Sequence, residues 1–84
     1  MNKLLLAIIA VSSAIDETSD ISKYDLSFKG VGGIVFTIEC QEKYTDYLVS
    51  AIIAMMNSKG FKSRYAPMFD SHTSAIGFNF SRGK

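Results

Sequence analysis

Two ten-residue segments that lie 44 positions apart have closely similar apolar sequences. The segment that starts at Leu4 is LLLAIIAVSS, and the segment that starts at Leu48 is LVSAIIAMMN; five of the ten positions are identical. Apolar residues after each segment also correspond, at offsets of 41 or 42 residues: Tyr24 with Tyr65, Phe28 with Phe69, Ile34 with Ile76, Phe36 with Phe78, and Ile38 with Phe80. Similarity at a nearly fixed spacing indicates a repeated structural unit. We therefore predict that the chain forms one helix-strand-strand unit twice, in residues 1–40 and 41–84.

Two regions alternate between apolar residues and smaller or polar ones. The apolar positions are Ile34, Phe36, Ile38 and Cys40 in the first region, and Ile76, Phe78 and Phe80 in the second. A period of two is typical of a strand that buries one face. Turn-forming residues at 30–33 and at 70–74 separate each strand from an apolar partner segment, so we predict two hairpins.

The third predicted strand contains the only proline of the chain. Its apolar residues Phe61, Tyr65 and Phe69 alternate with Lys62, Arg64 and Met68. Pro67 has no backbone N–H to donate, so we expect this strand to lie at an edge of the sheet or to contain a bulge.

The second apolar segment is predicted to be a helix from about Glu42 to Lys59. Apolar residues recur there at the helical period: Tyr44, Tyr47, Leu48, Ala51, Ile52 and Met55. Lys59 and Gly60 then provide a cation and a glycine, which commonly end a helix. A second stripe, Val49, Ile53 and Met56, makes the apolar surface wider than contact with one sheet requires. Either the two helices cover each other, or this stripe faces a partner or a second copy.

Residues 1–14 have two interpretations. A basic residue, an apolar run and small residues follow one another, as in a secretory signal peptide. The same run suits a buried first helix, which we favour, and it is too short to span a membrane. Cys40 is the only cysteine, which excludes an intramolecular disulfide and fits a reducing compartment, so we expect a cytoplasmic protein.

These elements predict an α+β protein. A chain of 84 residues that is 48% hydrophobic can form a single compact domain, residues 1–84. We expect a two-layer sandwich in which a four-stranded antiparallel sheet carries two helices on one face, in the order α-β-β-α-β-β. Because a core of this size is only marginally self-sufficient, apolar packing or association has to stabilise it.

Residues that perform catalysis or bind metals do not occur in a usable arrangement. Asp70, Ser71 and His72 are consecutive and so do not place a nucleophile, a base and an orienting group in line. A structural zinc site needs four ligands, and Cys40 is remote from His72 in the sequence. The glycine-rich residues 30–33 are followed by a strand, whereas a phosphate-binding loop leads into a helix. We therefore predict no enzymatic activity, no cofactor and no metal.

Charge is unevenly distributed along the chain, although the formal net charge is only +1. Residues 1–46 hold four basic and seven acidic residues, whereas residues 59–84 hold five basic and one acidic residue. Lys62, Arg64 and Arg82 fall on neighbouring predicted strands and are expected to form a basic patch. Such a patch can bind phosphates. However, the sheet positions expected to be exposed hold no aromatic residue on which bases stack: Val35, Thr37, Gly77, Asn79 and Ser81.

We therefore predict a non-enzymatic binding protein that acts by protein–protein association as a homodimer. The predicted partner-facing residues are Lys62, Arg64, Arg82, Val49, Ile53 and Met56. Small domains without cofactors are common among phage and mobile-element proteins that inhibit host machinery, and by this analogy the protein is an inhibitor. Two alternatives remain: a nucleic-acid-binding domain that uses the basic C-terminal half, and an exported protein in which residues 1–14 are the signal peptide.

Overall fold

The computed structural model describes residues 3–15, 25–29 and 33–83. The helices and strands are α1 (Lys3–Ile15), β1 (Asp25–Lys29), β2 (Gly33–Glu39), α2 (Thr45–Ser58), β3 (Phe61–Ser63), β4 (Met68–Asp70) and β5 (Ala75–Arg82). A 3₁₀ turn, Glu42–Tyr44, leads into α2. The predicted α+β class and order of elements are confirmed. The predicted turn residues 30–32 and Tyr24 lie outside the described residues.

The sheet is antiparallel and has four strand positions. β1 and β2 form one hairpin, β5 lies next to β2, and β3 and β4 both pair with the outer side of β5. Ser63 of β3 pairs with Phe80, and Met68 of β4 pairs with Gly77. Residues 64–67 therefore lie opposite only two residues of β5. The predicted third strand is thus one edge strand interrupted by a bulge that contains the proline.

The sequence repeat has a counterpart in the register of the two central strands. β2 and β5 are antiparallel neighbours, with the pairs Ile34–Phe80, Phe36–Phe78 and Ile38–Ile76. Exchanging the halves at the offset of 42 residues converts the first of these pairs into the last. The same exchange leaves the pair Phe36–Phe78 unchanged. A local twofold axis therefore passes between Phe36 and Phe78.

The remaining elements follow the same local symmetry. Phe28 pairs with Ile34 in the first hairpin, and Phe69 pairs with Ile76 in the second. The β1–β2 and β4–β5 hairpins therefore share one register. The buried residues of the helices are also 44 positions apart: Leu4, Ile8 and Ser12 in α1, and Leu48, Ile52 and Met56 in α2. Each helix thus turns the same face toward the interior of the protein.

One hydrophobic core serves both halves. Three nearly parallel phenylalanine rings form its centre: Phe36 lies 5.0 Å from Phe78, and Phe80 lies 6.0 Å from each of them, measured between ring centroids. Rings at such separations attract one another beyond the effect of area burial. Buried aliphatic side chains of both helices and both central strands pack around the rings: Leu4, Ile8, Leu48, Ile52, Met56, Ile34, Ile38 and Ile76.

Two tyrosines expected on buried faces are exposed instead. Tyr47 is 66% exposed because it lies one residue before Leu48, which faces the core, and so points to the outer side of α2. Tyr65 is 65% exposed because it lies in the bulge, where the alternation of the strand is interrupted. The apolar period of the sequence therefore predicts burial within the regular helices and strands. It does not predict burial in the first turn of α2 or in the bulge between β3 and β4.

Candidate functional site

A groove of about 460 Å³ lies where the C-terminal end of α2 meets β3. Ile53 and Asn57, one helical turn apart, form the α2 side of the groove. Half-buried Ile53 and buried Phe61 give it an apolar floor. The lining residues are Ile53, Asn57, Gly60, Phe61, Lys62, Ser63 and Gly83. The groove is therefore a concave apolar surface at one end of the sheet.

The end of α2 creates the corner of the groove. The N–H groups of Lys59 and Gly60 donate to the carbonyl oxygens of Met56 and Asn57, at 3.0 and 3.1 Å. Gly60 has a φ of +87°, in the left-handed region that glycine adopts without steric cost. This conformation reverses the chain and directs β3 against β5. The predicted helix end at Lys59 and Gly60 is confirmed.

A second glycine closes the same end of the groove. The N–H of Gly83 donates to the carbonyl oxygen of Gly60, at 2.7 Å. A Cβ atom on Gly83 would lie 3.3 Å from Cε of Lys62 and 3.4 Å from the Gly60 oxygen, closer than most real contacts of this kind. Glycine at position 83 therefore lets the Lys62 side chain lie against the backbone at the end of β5.

Four exposed basic residues lie in or next to the segments that form the groove. Lys62 lines the groove, and Lys59, Arg64 and Arg82 directly precede or follow lining residues in the sequence. The guanidinium carbon of Arg82 lies 5.6 Å from the centroid of the Phe61 ring, over the apolar floor. Residues 47–69 contain no acidic residue. The groove thus combines an apolar floor with a rim of positive charge.

The bulge changes the predicted basic patch. β3 ends at Ser63, so Arg64 does not continue the strand that holds Lys62. The N–H of Arg64 donates to the carbonyl oxygen of Asn79, at 2.8 Å. Lys62 pairs with Ser81 on the face of the sheet away from the helices, whereas Arg82 lies one position further, on the opposite face. Lys62 and Arg82 therefore lie on opposite faces of the sheet, and the three predicted cations do not form one flat patch.

The predicted apolar stripe is divided between the core and the surface. Ile53 lines the groove beside Lys62, so members of the two predicted sets meet there. Val49 is half-buried, one turn before Ile53. Met56 is fully buried in the core, which corrects the prediction that it belongs to a partner-facing stripe. Its position 44 residues after Ser12 places it on the face of α2 that packs inward.

Most of the residues that line the groove were not predicted as functional. Gly60, Phe61 and Gly83 had no signal beyond the expected end of the helix. Tyr65 is exposed in the bulge, and the guanidinium carbon of Arg64 lies 5.9 Å from the centroid of its ring. A helix that ends in lysine and glycine directly before an aromatic strand residue is the one local feature that pointed to this corner.

Charge is separated along the strand direction. At one end of the sheet, which we call the basic end, lie the groove, Lys29 at the end of β1 and Arg82 at the end of β5. At the other, the acidic end, strands begin or end at Asp25, Glu39 and Asp70. Glu42 and Asp46, just before and in the first turn of α2, add to the acidic end, where Lys43 is an exception. The uneven charge of the sequence therefore becomes a polarity of the fold.

Asp70, the last residue of β4, and His72, in the turn that follows, lie at the acidic end. The carboxylate of Asp70 accepts a hydrogen bond from the backbone N–H of His72, at 2.9 Å, which is the geometry of an Asx turn. Both residues are exposed. Their arrangement therefore has a local structural explanation. Across the described ranges, His, Cys, Asp and Glu side chains form no cluster of three or more with the geometry of a metal site.

Comparisons with protein-family models, with curated proteins and with solved structures give no match. In residues 3–15, 25–29 and 33–83, neither helix provides a stretch of apolar residues sufficient to cross a membrane.

Proposed function

We propose that this protein is a non-enzymatic binding protein whose groove takes up an acidic segment of a protein partner. The groove itself is the observation that carries this proposal: apolar Ile53 and Phe61 lie at its floor, and Lys62 and Arg82 lie at its rim. Protein-recognition sites commonly have an apolar centre within a polar rim, and aromatic and arginine side chains are frequent at their centres.

The chemistry of the groove supports a particular kind of partner segment. An aliphatic or aromatic side chain of the partner would cover Ile53 and Phe61, and neighbouring carboxylates would contact the basic rim. Opposite charges at a rim speed association and select among partners more than they add affinity. The carbonyl end of α2 is partly negative, but the N–H groups of Lys59 and Gly60 already engage two of its oxygens. The four cations therefore dominate the local charge.

The proposal also covers the oligomeric state and the cellular location of the protein. We propose that it acts in the cytoplasm as a homodimer that occludes a surface of its partner, as phage and mobile-element inhibitors of host machinery do. The single, buried cysteine supports a reducing compartment. The small core supports stabilisation by association.

Peptide binding tests the groove. The probe is a panel of ten-residue fluorescent peptides in which leucine or phenylalanine is flanked by glutamates, with lysine-flanked peptides of the same pattern for comparison. We expect the acidic peptides to bind in fluorescence anisotropy, and Lys62→Glu with Arg82→Glu to weaken binding by about tenfold or more. Ile53→Asp should weaken it as well. Lys43→Glu, at the acidic end, is the matched control and should have little effect.

Several results would reject this function. One is the absence of binding by every acidic peptide; another is an equal loss of binding in the Lys43→Glu control. Tighter binding of single-stranded or duplex DNA, lost steeply with salt and abolished by Lys62→Glu with Arg64→Glu, would favour the nucleic-acid alternative. An intact mass from native cells that corresponds to a chain beginning near Ile15 would favour the exported alternative.

A further inference from the structure

The two edges of the sheet are built differently. The β3–β4 edge is interrupted by the bulge at residues 64–67, which contains proline, and it carries Lys62. Bulges, prolines and lysines are devices that prevent a sheet edge from pairing with another chain. β1 is the opposite edge and keeps an unbroken register with β2 over its five residues. Among the described residues β1 pairs with β2 alone. The sheet therefore has one protected edge and one regular edge.

The sequence of the regular edge is complementary to itself. β1 reads Asp-Leu-Ser-Phe-Lys, with exposed Ser27 at its centre. When two copies of β1 align antiparallel about Ser27, Asp25 of each lies opposite Lys29 of the other, and Leu26 lies opposite Phe28. Opposite charges and apolar pairs directly across an antiparallel ladder stabilise it, whereas like charges destabilise it. Each pair of facing residues is thus favourable or neutral in this register.

Other alignments of the same edge lose this complementarity. An antiparallel alignment centred on Leu26 or on Phe28 places Asp25 or Lys29 opposite Ser27, so no charge pair forms. A parallel alignment in register places Asp25 against Asp25 and Lys29 against Lys29, which is repulsive. The charges of β1 therefore select one orientation and one register.

The charge polarity of the whole domain favours the same arrangement. Antiparallel pairing through β1 places the basic end of one copy beside the acidic end of the other, on both sides of the contact. We infer that two copies of this chain associate through β1, with a twofold axis at Ser27, into one continuous sheet of eight strand positions. Such a contact is isologous and closes the assembly at two copies. It specifies the interface of the homodimer proposed above and leaves both grooves, at the far edges, accessible.

A disulfide tests the position of the twofold axis. Residues directly opposite in an antiparallel pair have Cα atoms about 4.5–5.5 Å apart, within the range that a disulfide spans. We expect Ser27→Cys to form a covalent dimer under mild oxidation. Cys40 is buried, and Ser50→Cys, at an exposed position of α2, is the matched control. The control should remain largely uncrosslinked at the same concentration and time.

Charge reversal tests the register. Sedimentation equilibrium should show a concentration-dependent dimer for the wild-type chain. Asp25→Lys and Lys29→Asp should each raise the dissociation constant by about tenfold or more, because each creates like charges at both ends of the ladder. Combining the two substitutions restores opposite charges and should restore dimerisation. Asp46→Lys, on α2, is the control, and circular dichroism verifies that every variant is folded.

The outcomes separate this interface from the rest of the proposed function. A wild-type chain that remains monomeric overturns both the homodimer and the β1 interface, while peptide binding still reports on the groove. A dimer that Ser27→Cys does not crosslink, or that the single reversals do not weaken, overturns the β1 interface alone. Failure of the double reversal to recover dimerisation, in a folded variant, rejects the register.

Discussion

Phe36 and Phe78 lie directly opposite each other on the two central strands, and their rings stack with centroids 5.0 Å apart. The two residues are also equivalent positions of the sequence repeat. The local twofold axis of the domain therefore passes between them. Since each ring covers its equivalent in the other half, neither half completes its part of the core alone.

The stacked pair should show measurable energetic coupling. We expect a double-mutant cycle of Phe36→Leu and Phe78→Leu, followed by urea denaturation, to give a coupling of about 0.5–1.5 kcal/mol. Leucine keeps most of the apolar volume, so the protein should remain folded. A second cycle that combines Phe36→Leu with Phe61→Leu should give a much smaller coupling. The Phe61 ring is not one of the three stacked rings and lies against Arg82 instead. Equal couplings in both cycles would contradict a specific contact between the stacked rings.

Gly60 should be required for its backbone conformation and not for space. A Cβ atom there meets nothing within 4 Å, yet the φ of +87° is unfavourable for every residue with a side chain. We expect Gly60→Ala to lower the free energy of unfolding by about 1–2 kcal/mol in chemical denaturation. Gly60→Asn should cost less, since asparagine tolerates this region better. If the alanine variant is as stable as wild type, the left-handed corner is not a constraint on the fold.

Thr45 should be a site where a polar atom reduces stability. Its Oγ1 is buried at the start of α2 and has no hydrogen-bond partner within the described part of the chain. Thr45→Val replaces this hydroxyl by a methyl group of similar size, and we expect it to raise the free energy of unfolding by about 1 kcal/mol. Thr45→Ser keeps the hydroxyl and should give no gain. A loss of stability in the valine variant would show that the hydroxyl is bonded in solution.

Cys40 should react only when the protein opens. Its side chain is buried, and its N–H donates to the carbonyl of Ser74, at 3.0 Å, which ties the end of β2 to the turn before β5. We expect a thiol reagent such as DTNB to modify the native protein far more slowly than the urea-unfolded chain. The rate should rise with destabilising substitutions such as Gly60→Ala. A rapid reaction of the native protein would place the thiol at the surface.

The sequence repeat predicted more of the fold than any single segment did. The offsets of 41, 42 and 44 residues, found by comparing the chain with itself, are the offsets that relate the hairpins, the central strands and the buried helix positions. Alternation identified Ile34, Phe36 and Ile38 as core residues, because successive side chains of a regular strand point to opposite faces of the sheet. The predicted function and its partners remain proposals.

The parts that sequence reasoning missed depend on irregular backbone and on tertiary contacts. Residues 64–67 were predicted to continue a strand, and only the proline suggested a bulge; the interruption carries Tyr65 to the surface and separates Arg64 from Lys62. The groove was not predicted because it needs Gly83, near the end of the chain, to bond to Gly60. Neither local propensity nor periodicity contains that contact.

The local twofold axis relates the backbones of the two halves but reverses their charge. It exchanges the basic and acidic ends of the sheet, and it makes Lys29 at the end of β1 equivalent to Asp70 at the end of β4. A ligand that recognised only the register of the two hairpins would find two equivalent ways to approach the central strands. A charged ligand would distinguish them, so the charges at the two ends give the paired hairpins a direction that their register does not contain.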